Sequence, residues 1–162
     1  MNKGMFSVKS LCFSGIVAAL YIALTLAFQP ISFGAVQFRI SEALTMLPVL
    51  FPQAIPGLAV GCLLSNLLGG MHMADVVFGT LATLIAAVAT YQIYRKYENI
   101  WLAALPPVLC NAVIIGLLLH FLFDLPLLAT MLSVGFGQAV VVYVLGVVMI
   151  KALEKIDLKW FS

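Results

Sequence analysis

The sequence predicts an all-α membrane protein, a bundle of six transmembrane helices with both termini cytoplasmic. The first observation behind this is charge. Of 162 residues, 64% are hydrophobic and 9% are charged, against about 25% charged in a soluble domain. Eight Lys/Arg and six Asp/Glu cannot solvate the surface of a globule of this size, so lipid must stand where water would. The second is a series of apolar stretches long enough to cross a bilayer. The third is the unequal placement of Lys and Arg between alternate loops.

The first stretch runs from Ser10 to Phe28. Basic residues precede it, as in a secretory signal, but the apolar run is too long and more spans follow, so it reads as a membrane helix. From Ile40 to Leu68 the chain stays apolar but is interrupted by Pro48, Pro52 and Pro56. Proline lacks a donor and disfavours helix before it. The turn-like Phe51–Gly57 therefore divides this region into two short spans, Ile40–Leu50 and Ile55–Leu68, tolerable only inside a protein bundle. Asp75–Tyr94, Trp101–Phe123 and Leu127–Leu153 complete the six. A cytoplasmic start then places Lys3, Lys9, Arg95, Lys96, Lys151, Lys155 and Lys159 inside and Arg39 alone outside. Five spans would put the C-terminal lysines on the wrong face, so the charge pattern favours six. With no linker, low-complexity tract or legible repeat, residues 1–162 read as a single integral membrane domain.

Several function classes are disfavoured. The basic residues are too dispersed for a nucleic-acid surface. Cys12, Cys62 and Cys110 lie in apolar stretches without metal-ligand spacing and read as small buried hydrophobes. There is no P-loop, zinc motif or nucleophile elbow. An enzyme would have to be an intramembrane one using dispersed residues. Six short spans are also few for a self-sufficient secondary transporter. A binding subunit that borrows energy from partners fits best.

Placed by depth, the strongly polar residues gather toward the outer half. Gln29 ends the first span, Gln37 and Arg39 precede the second, and Glu42 lies one turn into it. Asn66 is near the outer end of the third span, His72 and Asp75 open the fourth, and His120 and Asp124 close the fifth. Asn111 and Gln138 lie near mid-membrane. Each has two readings. Arg39 and Glu42 are three apart on one helical face, so they either neutralise each other or present a carboxylate, held by a guanidinium, to a ligand. Asp75 is either an N-cap or a ligand contact. His72 and His120 are interfacial or ligand-facing, and Asn111 and Gln138 bond each other across helices or read a ligand. Phe28, Phe33 and Phe38 belong to the lipid belt or stack on a planar guest.

The first span also carries Gly15, Ala19, Ala23 and Ala27 at every fourth position. Small residues so spaced let another helix approach closely. The stripe serves either internal packing or docking of a second protein.

The run QFRISEALTMLPVLFPQAIPGLAVGCLLSNLLGG (Gln37–Gly70), followed by DVVFGTLATLIAA (Asp75–Ala87), resembles the QueT family, the substrate-binding S components of energy-coupling factor (ECF) transporters for queuosine precursors. The resemblance spans nearly the whole chain and is densest over Arg39–Ala87. It implies an S-component-like bundle with a substrate site near the outer face. It implies association with a transmembrane coupling protein and two ATPase subunits, as in an ABC-type importer, so that no cofactor belongs to this chain and partners hydrolyse ATP. The helix-one docking pattern of the family, alanine-x-x-x-alanine, is matched by Ala19 and Ala23. The implied cargo is a 7-deazaguanine. Glu42 would accept its N–H edge bidentately, with Arg39 orienting that carboxylate or bonding the ring carbonyl. Asn66, Asn111 and Gln138 would read the remaining atoms, Asp75 or Asp124 would meet an aminomethyl ammonium, and Gly34 would let the first loop close. An S component for a different vitamin or nucleobase is the alternative, because architecture does not determine ligand.

Overall fold

The computed structural model describes residues 7–32 and 38–155. Lys3, Phe33, Gly34, Gln37 and Lys159, named above, lie outside them. Every described element is helical. Helix α1 spans Val8–Ala27, started by Ser7, whose Oγ accepts from the Ser10 backbone N–H. A short α2, Gln29–Ser32, follows. The next segment, Ile40–Val49, is a 3-10 helix. The sequence predicts a helix here but not its winding. Pro48 has no N–H for an α-type bond to Leu44, and the Thr45 hydroxyl occupies the Glu42 carbonyl at 2.6 Å, the acceptor that an α-helix would reserve for Met46. Ser41 to Val49 are all buried, so neighbouring helices rather than local propensity hold this segment.

After the turn at Phe51, α3 spans Ala54–Leu68 and α4 spans Met73–Tyr97. The predicted fifth span is divided. Asn99 caps a single turn, α5 (Ile100–Ala103), accepting from Trp101 and Leu102. Helix α6 then restarts at Leu105–Phe123 with Pro106 and Pro107 in its first turn, where proline costs no helical bond. The last span is α7 (Leu127–Val140), a π-helical turn (Val141–Gly146) and α8 (Val147–Leu153). Four stretches, Val8–Ala27, Met73–Tyr97, Ile100–Phe123 and Leu127–Leu153, are long and apolar enough to cross a membrane, and Ile40–Val49 and Ala54–Leu68 are shorter apolar helices. Large exposed side chains such as Leu11, Ile16, Phe78, Leu132 and Val148 form the belt expected of a surface bathed in lipid. This is a multi-pass membrane protein.

The elements lock together through close backbone approaches. A Cβ on Gly61 of α3 would lie 2.7 Å from Tyr21 Cβ and 3.2 Å from Ala18 Cα of α1, and one on Gly57 would collide with the Ser14 carbonyl. Gly57 and Gly61 thus form a small-residue seam that sequence reading assigned to α1 alone. A Cβ on Gly146 would lie 2.8 Å from Met46 Cγ and 3.1 Å from the Ala43 carbonyl, so the π turn presses on the 3-10 helix. At the end of the bundle where α1 begins, Val17, Met46, Leu58, Ala87, Val142 and Ile150 join one apolar cluster. A smaller one, Ala82, Ile115, Leu118 and Val134, lies between α4, α6 and α7. Only Cys62 of the cysteines is buried; Cys12 is exposed and Cys110 partly so, because the lipid-facing sides of α1 and α6 are as apolar as the interior.

Candidate functional site

Between the two apolar clusters lies a polar layer centred on Glu42, which has no solvent-exposed area. Its Oε1 accepts from the Tyr21 hydroxyl of α1 and from Thr83 Oγ1 of α4 at 3.2 Å. Its Oε2 accepts from Gln138 Nε2 of α7 at 3.1 Å. One carboxylate therefore ties together α1, the 3-10 helix, α4 and α7. A buried charge needs such partners, since neither lipid nor water satisfies it. Beside it, Thr25 Oγ1 donates to Ser41 Oγ at 2.7 Å, and Thr83 Oγ1 also lies 3.4 Å from Cys62 Sγ.

Glu42 is deeper than the sequence suggests. Thr83 is eight residues beyond Asp75 on α4, about 12 Å along the axis, and Gln138 lies near the end of α7, well inside the last span, Leu127–Leu153. The 3-10 helix starts within the bundle rather than at its surface, so one turn into it is already mid-depth.

About one turn from the Glu42–Thr83 level, at Gly79, lie Arg39 and Asn66. A Cβ on Gly79 would be 3.0 Å from Asn66 Nδ2 and 3.8 Å from an Arg39 terminal nitrogen. The missing side chain thus leaves room for the Asn66 amide against the α4 backbone, with Arg39 at ordinary contact distance. Arg39 is 4% exposed and interacts electrostatically with both Glu42 and Asp75. Asn66 is fully buried. Its Nδ2 donates to the Asp75 backbone carbonyl at 3.3 Å and approaches Cys62 Sγ at 3.6 Å, whereas its Oδ1 is buried without a hydrogen-bond partner. Asp75 lies in the first turn of α4, 6% exposed. The N-cap role considered for it falls to His72, whose Nδ1 accepts from Ala74 N at 3.3 Å.

Arg39, Glu42, Asn66, Asp75 and Gln138 are thus brought into one layer, and five other candidates are placed elsewhere. His72 is exposed and occupied with capping, because a helix start supplies unpaired N–H groups that need an acceptor. Asn111 donates to the Pro107 carbonyl one turn back at 2.9 Å, the nearest acceptor on an apolar helix, and Gln138 goes to Glu42 instead of to Asn111. Phe38 packs edge-on against Phe136 of α7, with centroids 6.4 Å apart and planes at 79°. His120 Nδ1 is bonded to the Leu125 carbonyl at 2.5 Å, and Asp124 is an exposed left-handed C-cap. Sequence reasoning missed Tyr21 and Thr83. The signal for Thr83 was its spacing: Asp75, Gly79 and Thr83 recur every four residues on one face of α4.

Gly15, Ala19, Ala23 and Ala27 are all exposed, and nothing lies within 4 Å of a Cβ built on Gly15. The face that α1 buries is Ser14, Val17, Ala18, Tyr21 and Thr25. Among the described residues the stripe therefore does not serve internal packing. Among the described residues no cluster of three or more His, Cys, Asp or Glu could hold a metal ion.

The sequence model of the QueT transporter family matches residues 11–155. The chain is similar to the protein described as Queuosine precursor transporter QueT from Lactococcus lactis subsp. cremoris (strain MG1363). The two are 28% identical over 155 residues, which cover 88% of this chain and 91% of the relative. No solved structure gives a significant match.

Proposed function

The chain belongs to the QueT transporter family, and on that premise we propose that it is a substrate-capturing component that binds a queuosine precursor, a 7-deazaguanine base, in the polar layer around Glu42. The family is one of transporters, so the intramembrane-enzyme reading is set aside. The observation that carries the proposal is a fully buried carboxylate flanked by a guanidinium and two amides in an otherwise apolar bundle. A guanine-like edge offers N–H donors at N1 and the 2-amino group, and a carboxylate accepts both with charge assistance. Glu42 Oε1 already accepts from Tyr21 and Thr83 and Oε2 from Gln138, so one acceptor site is open and the second cargo N–H takes the place of the Gln138 donor. Arg39 bonds the ring carbonyl, and Gln138, an amide with donor and acceptor, adjusts to whichever atom adjoins it.

Lys9, Arg95, Lys96, Lys151 and Lys155 belong in the cytoplasm by the positive-inside rule, which makes the Arg39–Asp75 end the outer one and six the number of crossings. The cargo enters from outside and leaves inward as the subunit rotates against its partners. Those partners are a transmembrane coupling protein of ECF type, docked along Gly15, Ala19, Ala23 and Ala27, and two ATPase subunits that hydrolyse ATP. Exposure of the stripe supports this docking, since small residues on a bare flank let a second helix come close.

Titrating the purified chain with 7-deazaguanine bases tests the cargo, and uptake with and without the ECF subunits tests the partners. We expect saturable binding by the isolated chain and uptake only with partners present. Failure to bind any deazaguanine, or uptake by this chain alone, would overturn the respective half.

A further inference from the structure

The polar layer holds a charge imbalance and an unused acceptor in the same place. The charged side chains buried among the described residues are Arg39, Glu42 and Asp75, which leave one negative charge over. Burying an uncompensated carboxylate is costly in a medium without water. Within this layer Asn66 Oδ1 has no partner, although the same amide spends its N–H on the Asp75 carbonyl. That donation fixes which way the amide faces: flipped, it would set oxygen against oxygen. The Asp75 carboxylate accepts no hydrogen bond from the described residues, and it belongs to the same residue as that carbonyl. Two acceptors and a surplus negative charge therefore lie in the outer part of the layer, about 6–12 Å along α4 from the level of Glu42. That separation suits the two ends of a substituted deazaguanine.

Resting on the reading of the cargo given above, we infer that Asn66 Oδ1 and the Asp75 carboxylate form a subsite for a protonated amine on the cargo's 7-substituent. They make the protein selective for an aminomethyl base over a cyano base. An ammonium supplies N–H donors to both acceptors and cancels the surplus charge. A nitrile is neutral and presents a lone pair, so it would meet two acceptors with a third and leave Asn66 unsatisfied. Discrimination of this kind is large because the wrong ligand strands buried polar groups of the site. Gly79 is part of the device, since a side chain there would press on the Asn66 amide.

Calorimetric titration of the full chain in lipid nanodiscs with 7-aminomethyl-, 7-cyano- and unsubstituted 7-deazaguanine reads the preference directly. We expect the aminomethyl base to bind at least tenfold more tightly than the unsubstituted one, and the cyano base more weakly than either. Asp75→Asn and Asn66→Leu should each pull the aminomethyl-to-unsubstituted ratio toward one. The ratio is taken within each variant, so a reduced folded fraction cannot imitate the effect. Equal or reversed affinities in the parent chain would overturn the subsite and leave the deazaguanine reading standing, whereas no binding of any of the three would overturn both. A ratio unchanged in both variants would place the amine elsewhere and overturn the assignment to these residues.

Discussion

Around Met46, Leu58, Val142 and Ile150 the bundle is filled by apolar side chains. A few turns away, at Arg39, Glu42, Asn66, Thr83 and Gln138, burial is just as complete but the side chains are polar. Lipid tails are as apolar as leucine, so exclusion from water does not separate these regions, and packing and hydrogen bonding must. The apolar region achieves its fit through glycine seams and shape. The polar region achieves it through directed bonds converging on Glu42, and the Asn66 Oδ1 acceptor stays open. The first region sets how firmly the helices hold together, and the second sets what they can hold.

If that division is right, substitutions in the two regions should separate stability from binding. The largest expected effect is at the α1–α3 seam. Gly61→Val would drive a side chain into Tyr21 and Ala18 and should cost about 3 kcal/mol or more, read as loss of monodisperse protein and a fall in melting temperature. A parental melting temperature would mean that the seam does not lock the helices. Next, Met46→Ala should cost about 2–5 kcal/mol of stability while leaving the affinity order among deazaguanines intact. A changed order would show that the two regions are not separable. Glu42→Gln should weaken deazaguanine binding at least tenfold, about 1.4 kcal/mol. Undiminished binding would reduce Glu42 to a strut between helices. The smallest effect is expected from Ala23→Leu, which adds bulk to an exposed position. Its melting should stay within about 0.5 kcal/mol of the parent and binding should be retained, but uptake with partners should fall. Normal uptake would remove the stripe from consideration as a docking face.

Much of the architecture was legible in the sequence. Runs of apolar residues located the long helices, and Pro52 marked the turn between the two short ones, whereas Pro56 and Gly57 of the predicted turn lie in the first turn of α3, where proline costs no helical bond. Winding was not legible. Nothing in the composition of Ile40–Val49 distinguishes 3-10 from α; Pro48 and the Thr45 hydroxyl decide it through bonds that exist only in three dimensions. At the site, charged and amide side chains announced themselves because they are expensive in lipid. Tyr21 and Thr83 did not, because tyrosine and threonine are ordinary in membrane helices and their donors become significant only once Glu42 lies beside them. Asn111 misled for the converse reason. Its depth resembles that of Gln138, yet its own helix supplies an acceptor at Pro107.

The winding of Ile40–Val49 also works as a ruler. Ten residues wound as a 3-10 helix reach about 20 Å, where the same ten as an α-helix would reach about 15 Å. Relaxation to the commoner form would shorten the segment by about 5 Å and turn each side chain to a new azimuth. Tyr21, Thr83 and Gln138 would lose their shared acceptor at one stroke.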